Sequence, residues 1–236
     1  DDVESRGLGD VYKRQVYNHG LLRQVAEMFL STDEVNQAAE IIIRIGTRAL
    51  SMGDVDYLTN ILHRLYGAID LSALNRTRLK KAEGHIYDFE NRYDKAAKVY
   101  GEMLQESIKL QDPWSRAAAL NGLGSIERFN NNCEKAISLY TESLQIRIDH
   151  NLVLDQSNSH HNLGAVYIIM QEYDKAIEHL EKAKDIRQKQ NDIFRVSATE
   201  LYLGECYTHT GDYEKAEILL KECICLLYTS PSPRDS

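Results

Sequence analysis

Four glycines, Gly84, Gly124, Gly164 and Gly204, stand forty residues apart in this chain, and four alanines, Ala96, Ala136, Ala176 and Ala216, keep the same interval. A fixed period of that length constrains a fold more than any local propensity. Each period must be one supersecondary unit that can bury its apolar face only against its neighbours. The alanines are preceded by Tyr93-Asp94-Lys95, Cys133-Glu134-Lys135, Tyr173-Asp174-Lys175 and Tyr213-Glu214-Lys215. Tyr87, Tyr167 and Tyr207 lie three residues after their glycines, and Glu127 breaks that series. A degenerate unit precedes these, with Gly46, Gly53 and Leu58 at equivalent places.

Within a period the pattern is helical twice over. Leu163, Val166, Tyr167 and Met170 recur at i, i+3, i+4 and i+7, which marks one amphipathic helix, and Ile177, Leu180, Ala183, Lys184 and Ile186 mark its partner. Asn91, Asn131 and Gly211 share the position between the helices, where a left-handed residue ends the first; Gln171 is the misfit there. Asp94, Glu134, Asp174 and Glu214 suit the positive end of the second helix. Asp112-Pro113 reads as an N-cap followed by proline at the first helical position, and Asp192 as the cap of a helix running to His209. Glycine lets a neighbouring helix approach closely, and the repeated alanine is expected to fill the same seam. The repeated tyrosines, Tyr87, Tyr100, Tyr140, Tyr167, Tyr173, Tyr207 and Tyr213, are expected in the core.

Composition excludes several function classes. Hydrophobic residues make up 43% and charged residues 27% of the 236, ordinary values for a globular chain, and three prolines favour helix. The net charge of -8 speaks against coating nucleic acid or an anionic membrane, both of which need clustered positive charge. No apolar run is long enough to span a bilayer. Four cysteines, at 133, 206, 223 and 225, are too few and too irregular for a disulfide scaffold.

The two ends carry a signal of another kind. Residues 5–15 read SRGLGDVYKRQ and residues 225–235 read CLLYTSPSPRD. Back-translated, the two come from opposite strands of one short DNA, and both resemble a transposase adaptor. Residues 1–15 and 225–236 are therefore expected to be adaptor-derived and are set aside from fold reasoning. The remainder, residues 16–224, stays acidic. Both natural termini are then expected to lie outside the sequence.

The segments Asn162-Leu163-Gly164-Ala165-Val166-Tyr167, Tyr173-Asp174-Lys175-Ala176, Leu203-Gly204-Glu205-Cys206-Tyr207 and Gly211-Asp212-Tyr213-Glu214-Lys215-Ala216 resemble the tetratricopeptide repeat family. The usual period is 34; the longer period here adds nearly two helical turns, shared between the two helices. The resemblance implies an all-α fold, a right-handed superhelical solenoid of antiparallel helix pairs. Residues 16–76 would form degenerate helical repeats, and 77–224 four repeats, at about 77–116, 117–156, 157–196 and 197–224, the last truncated.

In that family the first helix of each pair lines a concave groove. Carried over by repeat position, the groove would expose Arg78, Lys81, His85 and Asp88, then Asn121, Ser125 and Arg128, then Asn158, His161, Asn162 and Ala165, and finally Leu201, Glu205, Thr208 and His209. Chaperone-binding members clamp a peptide carboxylate with Lys, Arg and Asn. Lys81, Asn162 and Arg78 match, but His85, Ser125, Ala165 and Glu205 do not, so that clamp is incomplete. The resemblance therefore implies a non-catalytic scaffold whose groove, of mixed polarity, holds another peptide, a protein partner or a domain of the same chain. Neither nucleic acid, membrane nor small-molecule substrate is expected as a partner, and a cytoplasmic location is. The stretch from His19 to Asp54, with Ala38-Ala39-Glu40 and Gly46-Thr47-Arg48-Ala49-Leu50, is similar to the segment of bacterial STAND-type signalling ATPases that leads into a repeat arm. That similarity implies a second possibility, a regulatory arm of a larger signalling ATPase or transcription regulator.

Catalytic signatures are absent from the sequence. There is no GxxxxGK[ST] phosphate loop and no His-Glu-x-x-His pattern, so neither cofactor nor metal is expected. His160 and His161, neighbours on a helix, point about 100° apart and cannot readily share an ion, so one is expected half-buried and one groove-facing. Cys133 and Cys206 read as packed thiols. Ser125 and Ser159 lack an adjoining base and acid.

Overall fold

The computed structural model describes residues 19–229; residues 1–18, which include the expected adaptor stretch 1–15, and those beyond 229 lie outside it. Every regular element among the described residues is an α-helix. Helix α1 covers 19–31. It is followed by α2 (Val35–Ser51), α3 (Val55–Gly67), α4 (Ala73–Phe89), α5 (Tyr93–Leu110), α6 (Pro113–Phe129), α7 (Cys133–Asp149), α8 (Val153–Ile169), α9 (Tyr173–Lys189), α10 (Ile193–Thr210) and α11 (Tyr213–Thr229). From α4 onward each helix has 17 or 18 residues, so the extra length of the repeat does go into its helices. The fold is the expected all-α solenoid of helix pairs.

The turns are more regular than the sequence suggests. Asn91, Gln111, Asn131, Asn151, Gln171, Asn191 and Gly211 all have positive φ, between 52° and 84°. The next residue's N–H then bonds back five residues, as in Arg92 to Tyr87 O (2.8 Å), Asp112 to Ser107 O (3.0 Å) and Leu152 to Arg147 O (2.8 Å). This six-to-one bond closes a Schellman-type end and satisfies carbonyls the helix would leave open. Gln171 adopts the same conformation despite lacking the local tolerance of asparagine or glycine, because the two flanking helices dictate it. The junctions between hairpins, at 111, 151 and 191, repeat the geometry of the turns inside them. The two expected caps form: Asp112 accepts from Ser115 N (3.3 Å) and Asp192 from Arg195 N (3.3 Å).

The chain divides into two compact units, with the boundary between Ile126 and Glu127, near the end of α6. In the first unit the main core gathers Ala38, Ala39, Ile42, Leu58, Ile61, Leu65 and Leu79 from α2, α3 and α4. A second cluster centres on Tyr100 and Ala96, both fully buried, with Ile126 buried against them. A Cβ on Gly84 would lie 2.3 Å from the Tyr100 ring, and one on Gly122 would lie 2.6 Å from it. Tyr100 therefore occupies the space both glycines vacate. In the second unit a Cβ on Gly164 would meet Leu180 at 2.6 Å, and one on Gly204 would meet Leu220 at 3.0 Å. The seam thus pairs glycine with a large residue sixteen positions later. The repeated alanines Ala96, Ala136 and Ala176, each fully buried, sit one turn before it.

One tyrosine departs from the expected core. Tyr213 is 68% exposed, because among the described residues no helix follows α11 to cover it. The equivalent Tyr173 is covered, stacked on His209 at 4.5 Å and 6°.

Candidate binding surface

In the first unit, α4 carries four of the predicted groove residues, all half-buried. Arg78 makes a two-pronged bond to Asp112, Nε to Oδ2 and Nη2 to Oδ1, both 2.9 Å. Burial opposes the Asp112 charge, but bonds from Arg78 and Ser115 outweigh it and hold the carboxyl below its ordinary range. Arg78 and Lys81 both lie over the Trp114 ring, at 5.6 and 5.2 Å. His85 Nδ1 is 3.3 Å from Thr47 Oγ1, and its ring meets Tyr100 edge-on. Asp88 accepts from the Tyr100 hydroxyl at 2.9 Å. Asn121 accepts through its carbonyl from Ser125 Oγ (3.2 Å). Trp114 and Tyr100 thus link the predicted residues into two groups, Arg78 with Lys81 and His85 with Asp88.

The second unit places the remaining residues differently. Arg128 packs over Phe129 at 4.9 Å. Asn158 and Asn162 are half-buried, and Ala165 is buried at 5% exposure. Leu201 is 54% exposed, and Glu205, Thr208 and His209 are exposed as well. Thr208 Oγ1 turns back to Gly204 O (2.7 Å).

Neither member of the histidine pair simply faces a groove. His160 Nδ1 lies 3.0 Å from His179 Nδ1, and burial, with His179 and Lys182 nearby, pulls its pKa down to about 4. His161 Nδ1 accepts from Arg187 Nη1 at 3.1 Å and its ring meets Tyr202 edge-on. Burial, then Arg187, Arg128 and Arg195, bring it to about 3. Both imidazoles are neutral at physiological pH.

Sequence reasoning missed two buried arginines. Arg147 and Arg187, forty residues apart, are 3% and 4% exposed. Arg147 Nη1 donates to Ser159 Oγ (2.6 Å), which donates on to Ser143 Oγ (3.3 Å). Arg187 Nη1 donates to Thr199 Oγ1 and to Arg195 O (3.1 Å). A legible signal existed: a basic residue on the apolar face, followed twelve residues later by a hydroxyl, in two successive periods. Burial lowers both guanidinium pKa values to about 10, still charged at neutral pH.

The side chains on these helices offer charges and hydrogen-bonding groups. Ser125 and Thr199 donate to the carbonyls of Asn121 and Arg195, Ser159 donates to Ser143 Oγ, and Ser159 and Thr199 accept from Arg147 and Arg187. The Cys206 thiol is pushed up to about 12 by burial. No cluster of three or more His, Cys, Asp or Glu able to hold a metal ion occurs among the described residues, and no helix among them is long and apolar enough to cross a membrane.

Residues 155–226 match a family model described as tetratricopeptide repeat. No curated protein sequence matches the chain. Among solved structures it is similar to BtubC (BKLC) from P. vanneervenii, at 24% identity and a TM-score of 0.61, over 95% of this chain and 96% of that one. It is similar also to a signal transduction ATPase with numerous domains carrying a tetratricopeptide repeat sensor, from Pyrococcus horikoshii. There the identity is 19% and the TM-score 0.59, over 92% of this chain but 37% of that one. PilF of Pseudomonas aeruginosa matches at 19% identity and a TM-score of 0.56, over 85% and 78%. These likenesses show a shared fold. The family match over residues 155–226 agrees with the forty-residue period and the glycine seam, and the stretch it covers is similar to tetratricopeptide repeats.

Proposed function

We propose that the chain is a protein-interaction scaffold whose first helices hold a peptide or a partner domain without chemical transformation. The observation that carries this reading is the pre-ordering of polar side chains on α4. Arg78, His85 and Asp88 are each fixed from within their own unit, so a partner would meet donors and acceptors already in place. Pre-ordering lowers the entropy cost of binding and suits recognition with little backbone change. The test is a peptide-display selection on the 236-residue chain. Selected peptides should lose at least roughly tenfold in affinity on Lys81→Glu or Asn162→Asp, the scale of one charged contact. They should bind unchanged to Lys98→Glu, at an exposed site on α5. Equal losses at all three positions would overturn the groove reading.

A second reading is a sensor or regulatory arm of a larger signalling protein. The Pyrococcus protein, whose repeats serve as a sensor, supports it, since this chain corresponds to only 37% of that one. A Walker loop upstream in the same reading frame of the complete gene would favour the arm; a complete gene without one would favour the free scaffold.

A further inference from the structure

One period of the repeat departs from the others at its inner turn, and the departure removes two aromatic rings. In three periods the tyrosine three residues after the glycine lies under a cation. Tyr87 has Arg92 at 4.8 Å and Lys95 at 5.9 Å, Tyr167 has Lys175 at 5.4 Å, and Tyr207 has Lys215 at 5.0 Å. The period of Gly124 holds Glu127 in that place, and its carboxylate pairs with Lys135 and accepts from Asn132 Nδ2.

The second ring is lost six residues on. Tyr93, Tyr173 and Tyr213 open α5, α9 and α11, whereas Cys133 opens α7. Tyr173 has a fixed neighbour, His209 in the last turn of α10, on which it stacks at 4.5 Å and 6°. The counterpart of His209 forty residues earlier is Ile169, in the last turn of α8, and it is 45% exposed. Cys133 itself is half-buried against Ala136, Tyr140, Leu163 and Val166. It also borders a hollow of about 550 Å³, open to solvent and lined besides by Asn131, Asn132, Glu134 and Lys135.

We propose that the hollow at the α6–α7 turn receives an aromatic side chain of a protein partner, tyrosine in size, in place of the ring that this period omits. A flat ring offers an apolar body to Cys133 and to Ile169, as Tyr173 does to its own surroundings. Its π-face offers the ammonium of Lys135 the partnership that Lys95, Lys175 and Lys215 make within their own periods. A branched aliphatic side chain meets the first need and not the second. The hollow lies at a turn rather than on the first-helix face, so it goes beyond the scaffold reading and does not depend on it.

The experiment is an amide NMR titration of the 236-residue chain with N-acetyltyrosinamide and, in parallel, with N-acetylleucinamide. The tyrosine amide should shift the resonances of residues 131–135 and of Ile169, with a dissociation constant of about 1 mM, the scale of one small ligand. The leucine amide should bind there several-fold more weakly. Cys133→Tyr, which restores the residue its counterparts carry, should abolish the response. Cys133→Ser, which leaves the space open, should keep it. Absence of shifts at 131–135 up to the solubility limit of the tyrosine amide overturns the site, as does an undiminished response in Cys133→Tyr. Equal responses to the two amides overturn the aromatic assignment.

Discussion

The two units solve the same packing problem with a different balance of ion pairs and neutral hydrogen bonds. In residues 19–126 the polar helix contacts include several cross-helix ion pairs: Arg78 with Asp112, Lys80 with Glu102 and Glu106, Arg23 with Asp54, Arg64 with Glu27. In residues 127–229 nearly all the ion pairs run along a single helix, three or four residues apart, as in Lys182 with Glu178. Its buried cross-helix polar contacts include arginine to hydroxyl and arginine to histidine, beside His160 with His179, Tyr207 with Glu181 and one ion pair, Lys135 with Glu127. The repeat therefore fixes shape, through glycine and its large partner, and leaves charge open. Charge is where two stretches built on one period diverge.

That comparison can be broken or sharpened in three ways. The largest effect should be common to both units. Gly84→Ala would drive a methyl into the Tyr100 ring, and Gly164→Ala one into Leu180. Each should destabilise by up to about 3 kcal/mol, while Gly101→Ala, which meets open space on α5, should stabilise by roughly 0.5–1 kcal/mol. Urea unfolding of the three variants checks this, and a cost at one seam only would break the shared-shape half of the comparison.

The second effect separates the units. His160 and His161 have folded pKa values below the unfolded value of 6.5, so the unfolded chain takes up their protons first and stability falls as pH drops below 6.5. At pH 5 this amounts to about 2 kcal/mol for His161. Asp112 and Glu106 are held below 3.8 and 4.5, so their contribution persists until the pH falls beneath those values. Hydrogen exchange at pH 7 and pH 5 should therefore show α8 and α9 losing protection before α4 and α5. Uniform loss across both pairs would contradict the contrast.

The smallest effect concerns the buried arginines. Replacing Arg147 by methionine removes a desolvated charge together with its need for partners. The expected change is within about 1 kcal/mol and can be stabilising. Ser159→Ala, which leaves the guanidinium in place but takes its acceptor away, should cost more, about 1 kcal/mol. Thermal melts of the two variants give the order directly.

The fold was legible because its determinants are small, apolar and strictly spaced. Gly164, Ala176 and the caps at Asp112 and Asp192 act through geometry that any reading of the period recovers. The surface was less legible. Ala165 was assigned to the groove by position alone, yet it is buried, while Trp114, which orients Arg78 and Lys81, falls outside the positions carried over from the family. Arg147 and Arg187 escaped because basic residues ordinarily lie at the surface. Their burial depends on hydroxyls twelve residues further on, a relation that no single helix displays. Tyr213 shows the converse: the same residue type as Tyr173, exposed because nothing described covers it.

The joints themselves carry a further implication. From Asn91 to Gly211 a left-handed residue falls every twenty positions, inside hairpins and between them alike. One metre thus governs every bend of these repeats. Inserting a single residue in any helix would swing all that follows by about 100° and put its apolar stripe toward water. Such a chain can change its reach only in whole modules, so the divergence open to it is the repainting of surfaces on an unchanging frame.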